Sequence, residues 1–122
     1  MTVKSSIGLY GEQLATEYLT GRGYKILDRN WQKPWGELDV VALKDSVVVI
    51  VEVKANSMAG SNFDPEGRVD WKKMQKTVRT ARTWLAYRKY PPEQEWQIDI
   101  VSVIFDKASK TAKIKHFKNV EV

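Results

Sequence analysis

A chain of 122 residues with 43% hydrophobic and 29% charged residues, 7 Gly and 4 Pro suits one folded domain around one core, and residues 1–122 read as that single domain. It has no cysteine and one histidine, His116, which excludes disulfide frameworks, thiolate nucleophiles and metal centres built from Cys or several His. Any chemistry falls to carboxylates and lysines, groups that suit hard divalent cations such as Mg²⁺, and the net charge of +5 favours a polyanionic partner such as nucleic acid.

In chain order, apolar residues Ile7, Tyr10, Leu14, Ala15 and Tyr18 recur at helical spacing over residues 6–20, and Gly21 and Gly23 end that helix. Residues 24–30 read as a short strand and 32–36, with Pro34 and Gly36, as a loop. Two β-branched runs, 37–43 and 47–54, flank a tight turn at Lys44-Asp45-Ser46 and form a hairpin. Residues 55–68 read as a long loop. A second helix spans about 70–87, capped by Asp70, with Trp71, Met74, Val78, Ala81 and Leu85 as its buried stripe. Residues 98–105 form a strand and 112–118 a lysine-studded edge strand, a pattern that discourages edge pairing. The order helix, three strands, helix, one or two strands gives an α/β architecture with a mixed sheet flanked by helices.

Charge is concentrated rather than spread. Residues 68–90 hold eight lysines and arginines against Asp70 alone, a net +7 in a chain of +5. No basic head precedes an apolar run, and the longest aliphatic run, 47–51, is far short of the roughly 20 residues a bilayer requires, so a soluble, cytoplasmic protein with no membrane contact is expected.

The hairpin carries the sharpest chemistry. With a two-residue loop at Asp45 and Ser46, paired residues sum to 91, so Asp39 faces Glu52 and Glu37 faces Lys54. Two ionised carboxylates about 5 Å apart repel by about 3 kcal/mol at an effective dielectric near 20. A divalent cation bridging Asp39 and Glu52 offsets this, as does Lys54 or a raised carboxyl pKa. The pattern fits a metal site with Lys54 aimed at a phosphate; it also fits a cross-strand salt-bridge ladder. Residues 47–51 read as a central strand buried on both faces, so charges at its end need compensation.

Glu12 sits beside the apolar stripe of the first helix and is either an accessory carboxylate or an ordinary boundary residue. Gly8 and Gly11 weaken that helix by roughly 0.5–1 kcal/mol each and point to a close approach there. On the second helix Lys72, Lys76 and Arg79 project away from the stripe toward solvent, while Lys73 and Arg82 flank it, Lys73 reaching toward the sheet edge. Asp99 is either a strand cap or a supporting partner of the acidic site, and His116 a plain edge-strand residue. Trp71 and Trp84 read as packing; Trp31 and Trp35 as core or rim residues, with stacking on unpaired bases as the alternative.

Gly8-x-x-Gly11-Glu12-x-x-Ala15-x-x-Tyr18-Leu19, Gly23-Tyr24-x-Ile26-Leu27-x-Arg29-Asn30, Gly36-Glu37-Leu38-Asp39, Val51-Glu52-Val53-Lys54, Lys73-x-x-Lys76 and Ile98-Asp99-Ile100-Val101 together resemble, in order, the YraN-like family of small bacterial proteins. The resemblance spans nearly the whole chain and implies a restriction-endonuclease-like core of helix, three strands, helix and strand. The PD-(D/E)xK signature then falls on Asp39 with Glu52-x-Lys54. The pattern is also similar to archaeal Holliday junction resolvases, which implies a site role for Glu12. Ala55-Asn56 and Gln97 stand where the family commonly has arginine.

The expected function is Mg²⁺-dependent phosphodiester hydrolysis on DNA, branched or single-stranded. Asp39 and Glu52 are the expected metal ligands, Lys54 the phosphate and water positioner, Glu12 an accessory carboxylate and Lys73 a helper. Lys72, Lys76, Arg79 and Arg82 would hold the nucleic-acid backbone without reading sequence. A nucleic-acid-binding module of the same fold without catalysis, and a protein-interaction domain with structural ion pairs, are the rivals. A homodimer is compatible with all three.

Overall fold

In the computed structural model, which describes residues 5–57 and 70–121, the elements run α1 (Ser6–Gly21), β1 (Lys25–Lys33), β2 (Gly36–Lys44), β3 (Val47–Ser57), α2 (Trp71–Tyr87), β4 (Trp96–Asp106) and β5 (Thr111–Phe117). The strands form one five-stranded mixed sheet in the order β1-β2-β3-β4-β5. This is the expected α/β order of the restriction-endonuclease-like core, with β5 as the second late strand.

Local chemistry sets the ends of the helices. The Ser5 hydroxyl accepts from the Gly8 N–H at 3.1 Å, and the Asp70 carboxylate from those of Lys72 and Lys73 at 3.0 and 3.2 Å, satisfying N–H groups that lack helical partners. Beyond α1, Gly23 takes φ +90, a conformation open to glycine at little steric cost, while the Tyr24 N–H returns to the Leu19 carbonyl.

Asp45 and Ser46 both have positive φ, 49° and 67°, as a two-residue type I′ turn requires. The resulting β2–β3 register runs from Lys44↔Val47 to Val40↔Val51, so every pair sums to 91 as expected. Strand β3 lies at the centre, antiparallel to β2 and parallel to β4 from Val48↔Trp96 to Ser57↔Phe105. Its residues Val48 to Val51 are all buried.

Helix α1 covers one face of the sheet, where Ala15 and Leu19 pack on Val40, Val49, Val51, Val101 and Val103. Helix α2 covers the other, with Met74, Ala81 and Trp84 against Val41, Val48, Ile50, Ile98 and Ile100. Several expectations are corrected here. Strand β1 extends through Lys33, leaving only Pro34 and Trp35 between it and β2, because the Lys33↔Gly36 pair closes a tight hairpin where a loop over 32–36 was expected. Strand β3 takes up Ala55 to Ser57, where parallel pairing with β4 satisfies the backbone; the remainder of the expected 55–68 loop lies outside the described residues. Trp71 is 56% exposed at the first turn of α2, before the helix reaches the sheet, and Tyr10 is 58% exposed although its ring stacks on Phe105 at 5.2 Å.

Gly11 explains why α1 tolerates a glycine in mid-helix. A Cβ at this position would lie 2.5 Å from the Cβ of Ala55 on β3, and neither atom can move without moving backbone. Gly11→Ala is therefore expected to destabilise by about 1–3 kcal/mol through overpacking, more than the ~1 kcal/mol gained in helix propensity. Adding Ala55→Gly should restore most of it. Urea unfolding of the single and double variants checks this, and a neutral single variant would refute the close approach.

Candidate functional site

The β2–β3 ladder stops at Val40↔Val51, and there a side chain takes over from the backbone: Asp39 Oδ2 accepts the Val53 N–H at 2.9 Å. That bond fixes the carboxylate where the two strands part. Glu52 continues the α2-facing alternation of Val48 and Ile50 and is only 6% exposed. Buried carboxylates need partners. Lys73, from the first turns of α2, forms an ion pair with Glu52 Oε1 while its own side chain remains 60% exposed.

The neighbours of Lys73 set its protonation. Burial pushes its pKa down, but the charge of Glu52, the hydrogen bond to it, and the charges of Asp39 and Glu37 outweigh burial and raise it above the ordinary lysine value. Lys73 is thus an ammonium across the physiological range.

A cleft of about 370 Å³ opens at this end of the sheet, lined by Glu12, Glu37, Asp39, Lys54 and Lys73 together with Ser5, Gly8, Val53 and Ala55. Glu12 reaches it from α1 and is 2% exposed, buried through the same close approach of α1 to β3 that Gly11 permits. A separate gap of about 10 Å³ is bounded by Asp39, Glu52, Lys73 and Thr77 among others, roughly the space of one water probe. Of the five residues expected to act together, Glu12, Asp39, Lys54 and Lys73 line the cleft, and Glu52 borders the small gap that shares Asp39 and Lys73 with it. Glu37 joins them in the cleft lining, although the expected facing pairs Asp39–Glu52 and Glu37–Lys54 lie beyond the end of the β2–β3 ladder.

Counting formal charge, Glu12, Glu37, Asp39 and Glu52 stand against Lys54 and Lys73, a surplus of two negative charges in a partly buried space. The donors are all hard oxygens. Among the described residues no three of His, Cys, Asp and Glu come close enough to hold an ion by themselves. A cation that retains several waters and binds through one or two carboxylates fits such a sparse set, and that is the habit of Mg²⁺.

On α2, Lys72, Lys76, Arg79 and Arg82 are all exposed, as expected, and the Arg79 guanidinium also lies over the Trp35 ring, 4.6 Å from the centroid. Lys76 and Lys73 line a second groove of about 340 Å³ with Lys33, Trp35 and Glu37, beside the acidic cleft.

Asp99 and His116 are corrected. Asp99 is fully buried and accepts from Gln97 Nε2 at 2.8 Å and from the Asn119 N–H at 2.9 Å, and its Oδ2 lies 2.7 Å from His116 Nε2. His116 Nδ1 in turn lies 3.1 Å from the Tyr18 hydroxyl. These contacts join β4, β5 and α1 away from the acidic cleft, so Asp99 does not support the carboxylates and His116 is no plain edge residue. The signal was present in the sequence: a carboxylate inside Ile98-Asp99-Ile100 requires a buried partner.

No helix among the described residues is long and apolar enough to cross a membrane. Comparison with known proteins gives concordant results. A family model described as uncharacterised protein family UPF0102 matches residues 11–103. UPF0102 proteins of Fervidobacterium nodosum and Persephonella marina are 39% and 37% identical, over 89% and 92% of this chain and 77% and 90% of their own lengths. One from Corynebacterium efficiens is 36% identical over 98% of this chain and 95% of its own. The matched span runs from the glycine against β3 to the middle of β4 and so contains Glu12, Asp39, Glu52, Lys54 and Lys73; the chain belongs to the UPF0102 (YraN-like) family, whose fold is restriction-endonuclease-like.

Proposed function

We propose that this protein is a metal-dependent phosphodiesterase acting on DNA, with Asp39 and Glu52 as the residues that hold a Mg²⁺-type cation. The observation that carries the reading is the gathering of Glu12, Asp39, Lys54 and Lys73 around one cleft, with Glu52 on the small gap that shares Asp39 and Lys73 with it. When bound, such a cation supplies Lewis-acid polarisation of a phosphodiester and acidifies water. The remaining work belongs to the chain. Lys54 holds a phosphate oxygen and orients the attacking water, and Lys73 balances the charge of Glu52. Glu12 would add a further carboxylate to the cleft that holds the cation. Exposed Lys72, Lys76 and Arg82 hold the strand by its phosphates without reading sequence.

The ion pair between Lys73 and Glu52 favours one rival, a nucleic-acid-binding module in which a lysine has taken the place of the cation. The two readings separate experimentally. Wild type and Asp39→Ala are compared on branched, single-stranded and duplex DNA with Mg²⁺ and with EDTA. Hydrolysis is expected from wild type with Mg²⁺ alone, with Asp39→Ala slower by about 10²-fold or more. Salt-dependent binding without cleavage of any substrate supports the rival, and equal residual cleavage by both proteins removes the mechanism.

A further inference from the structure

Lys73 and Lys76 line the groove beside the acidic cleft, but its Trp35 wall has no role in the chemistry proposed above. The groove lies between the β1–β2 turn and α2, holds about 340 Å³, and shares Glu37 and Lys73 with the cleft. Its volume is within the range of ligand sites, roughly 300–1,000 Å³. The turn is pressed directly onto the helix, since a Cβ on Gly36 would come 2.5 Å from Thr80 Oγ1, and Thr80 is fully buried.

Its lining is chemically mixed. The Trp35 indole is half-buried, with Arg79 stacked on it, and its Nε1–H is buried without a hydrogen-bond partner among the described residues. Lys33 and Lys76 bring ammonium groups, Lys33 lying over the Trp31 ring at 4.9 Å. Glu37 is the opposing charge; Gln32 Nε2 donates to its Oε2 at 3.2 Å. An aromatic plane backed by a guanidinium and flanked by two lysines suits a nucleobase with its phosphate. Stacking of this kind demands a base that is not already paired and stacked in a duplex.

We infer that this groove is the subsite for an unpaired nucleotide adjoining the bond held in the acidic cleft, with Trp35 stacking on the base and Lys33 and Lys76 holding its phosphate. This deepens the nucleic-acid reading and rests on it: the substrate is a DNA strand with at least one unpaired nucleotide beside the scissile position. Blunt duplex cannot fill the groove.

Binding measured in EDTA tests this apart from catalysis. Fluorescence anisotropy with labelled single-stranded DNA, a duplex bearing a single-stranded flap, and blunt duplex is compared for wild type, Trp35→Leu, Trp35→Phe and Lys76→Ala, each checked for folding by thermal unfolding. Trp35→Leu is expected to weaken single-strand and flap binding by about tenfold while leaving blunt duplex unchanged, and Trp35→Phe to retain most of the affinity. Lys76→Ala should lower the salt dependence of single-strand binding by about one phosphate contact. Equal losses on all three DNAs, or no loss with Trp35→Leu, overturn the subsite, and should Trp35→Leu not fold, an unchanged salt dependence in Lys76→Ala overturns it alone. If the Trp35 discrimination is found but no DNA is cut with Mg²⁺, the subsite stands and the phosphodiesterase reading fails. If Asp39-dependent cleavage is indifferent to Trp35→Leu, the phosphodiesterase stands and the subsite fails.

Discussion

Glu52→Gln is expected to reduce Mg²⁺-dependent DNA cleavage by about 10²-fold or more while changing stability by less than about 1 kcal/mol. The activity loss follows from deleting one of only two proposed cation ligands, worth several kcal/mol in a site of this kind. The small stability change follows from opposed electrostatics. Removing the charge relieves its repulsion with Asp39 and Glu37, which border the same gap. It also weakens the ion pair with Lys73, a charge-assisted bond of about 1.5–3 kcal/mol. The amide keeps the shape of the acid and can still pair with Lys73 only as a neutral acceptor. Cleavage rates, calorimetric Mg²⁺ titration and thermal unfolding of the two proteins check all three effects. Wild-type cleavage by the variant, or Mg²⁺ uptake of unchanged affinity, ends the assignment of Glu52.

His116→Ala is expected to have the largest effect on stability, about 3 kcal/mol. Asp99 is fully buried, and removing its histidine leaves a carboxylate in the interior with only the Gln97 and Asn119 donors. The Tyr18 hydroxyl loses its partner as well. Against a typical domain stability of about 5–15 kcal/mol such a loss is large. Replacing both partners, Asp99→Leu with His116→Leu, should recover much of it, because a buried polar pair exchanged for apolar groups of similar size is often near neutral. Chemical denaturation of the single and double variants decides the matter. A cost below about 1 kcal/mol for His116→Ala shows that the network does not hold β5 to the sheet.

The order of elements, the β2–β3 register and the burial of the central strand were legible in the sequence because each follows from local rules. Asp45-Ser46 is a two-residue loop, period-two alternation fixes the facing pairs, and five aliphatic residues in succession suit a strand covered on both sides. Glu12 was legible only through its neighbours, since a helix pattern ranks a glutamate at the stripe boundary as exposed, and the glycine beside it was the one sign of contact with β3. What the pattern misses depends on partners distant in sequence. Asp99 and His116 meet across β4 and β5, and Arg79 finds Trp35 across a helix and a turn. The expected stripe of α2 starts one turn too early at Trp71 and omits Thr77 and Thr80. Both threonines are buried because their hydroxyls donate to the Lys73 and Lys76 carbonyls, leaving only methyl groups to the core.

Gly11 and Gly36 have a joint consequence. One seats α1 against β3 and the other seats the β1–β2 turn against α2, each at a distance that leaves no room for a methyl group. An added methyl group would push α1 from β3 at the first position and the turn from α2 at the second. The cleft and the groove therefore owe their width to the missing side chains of two glycines, and a methyl group added at either would reshape the wall beside it.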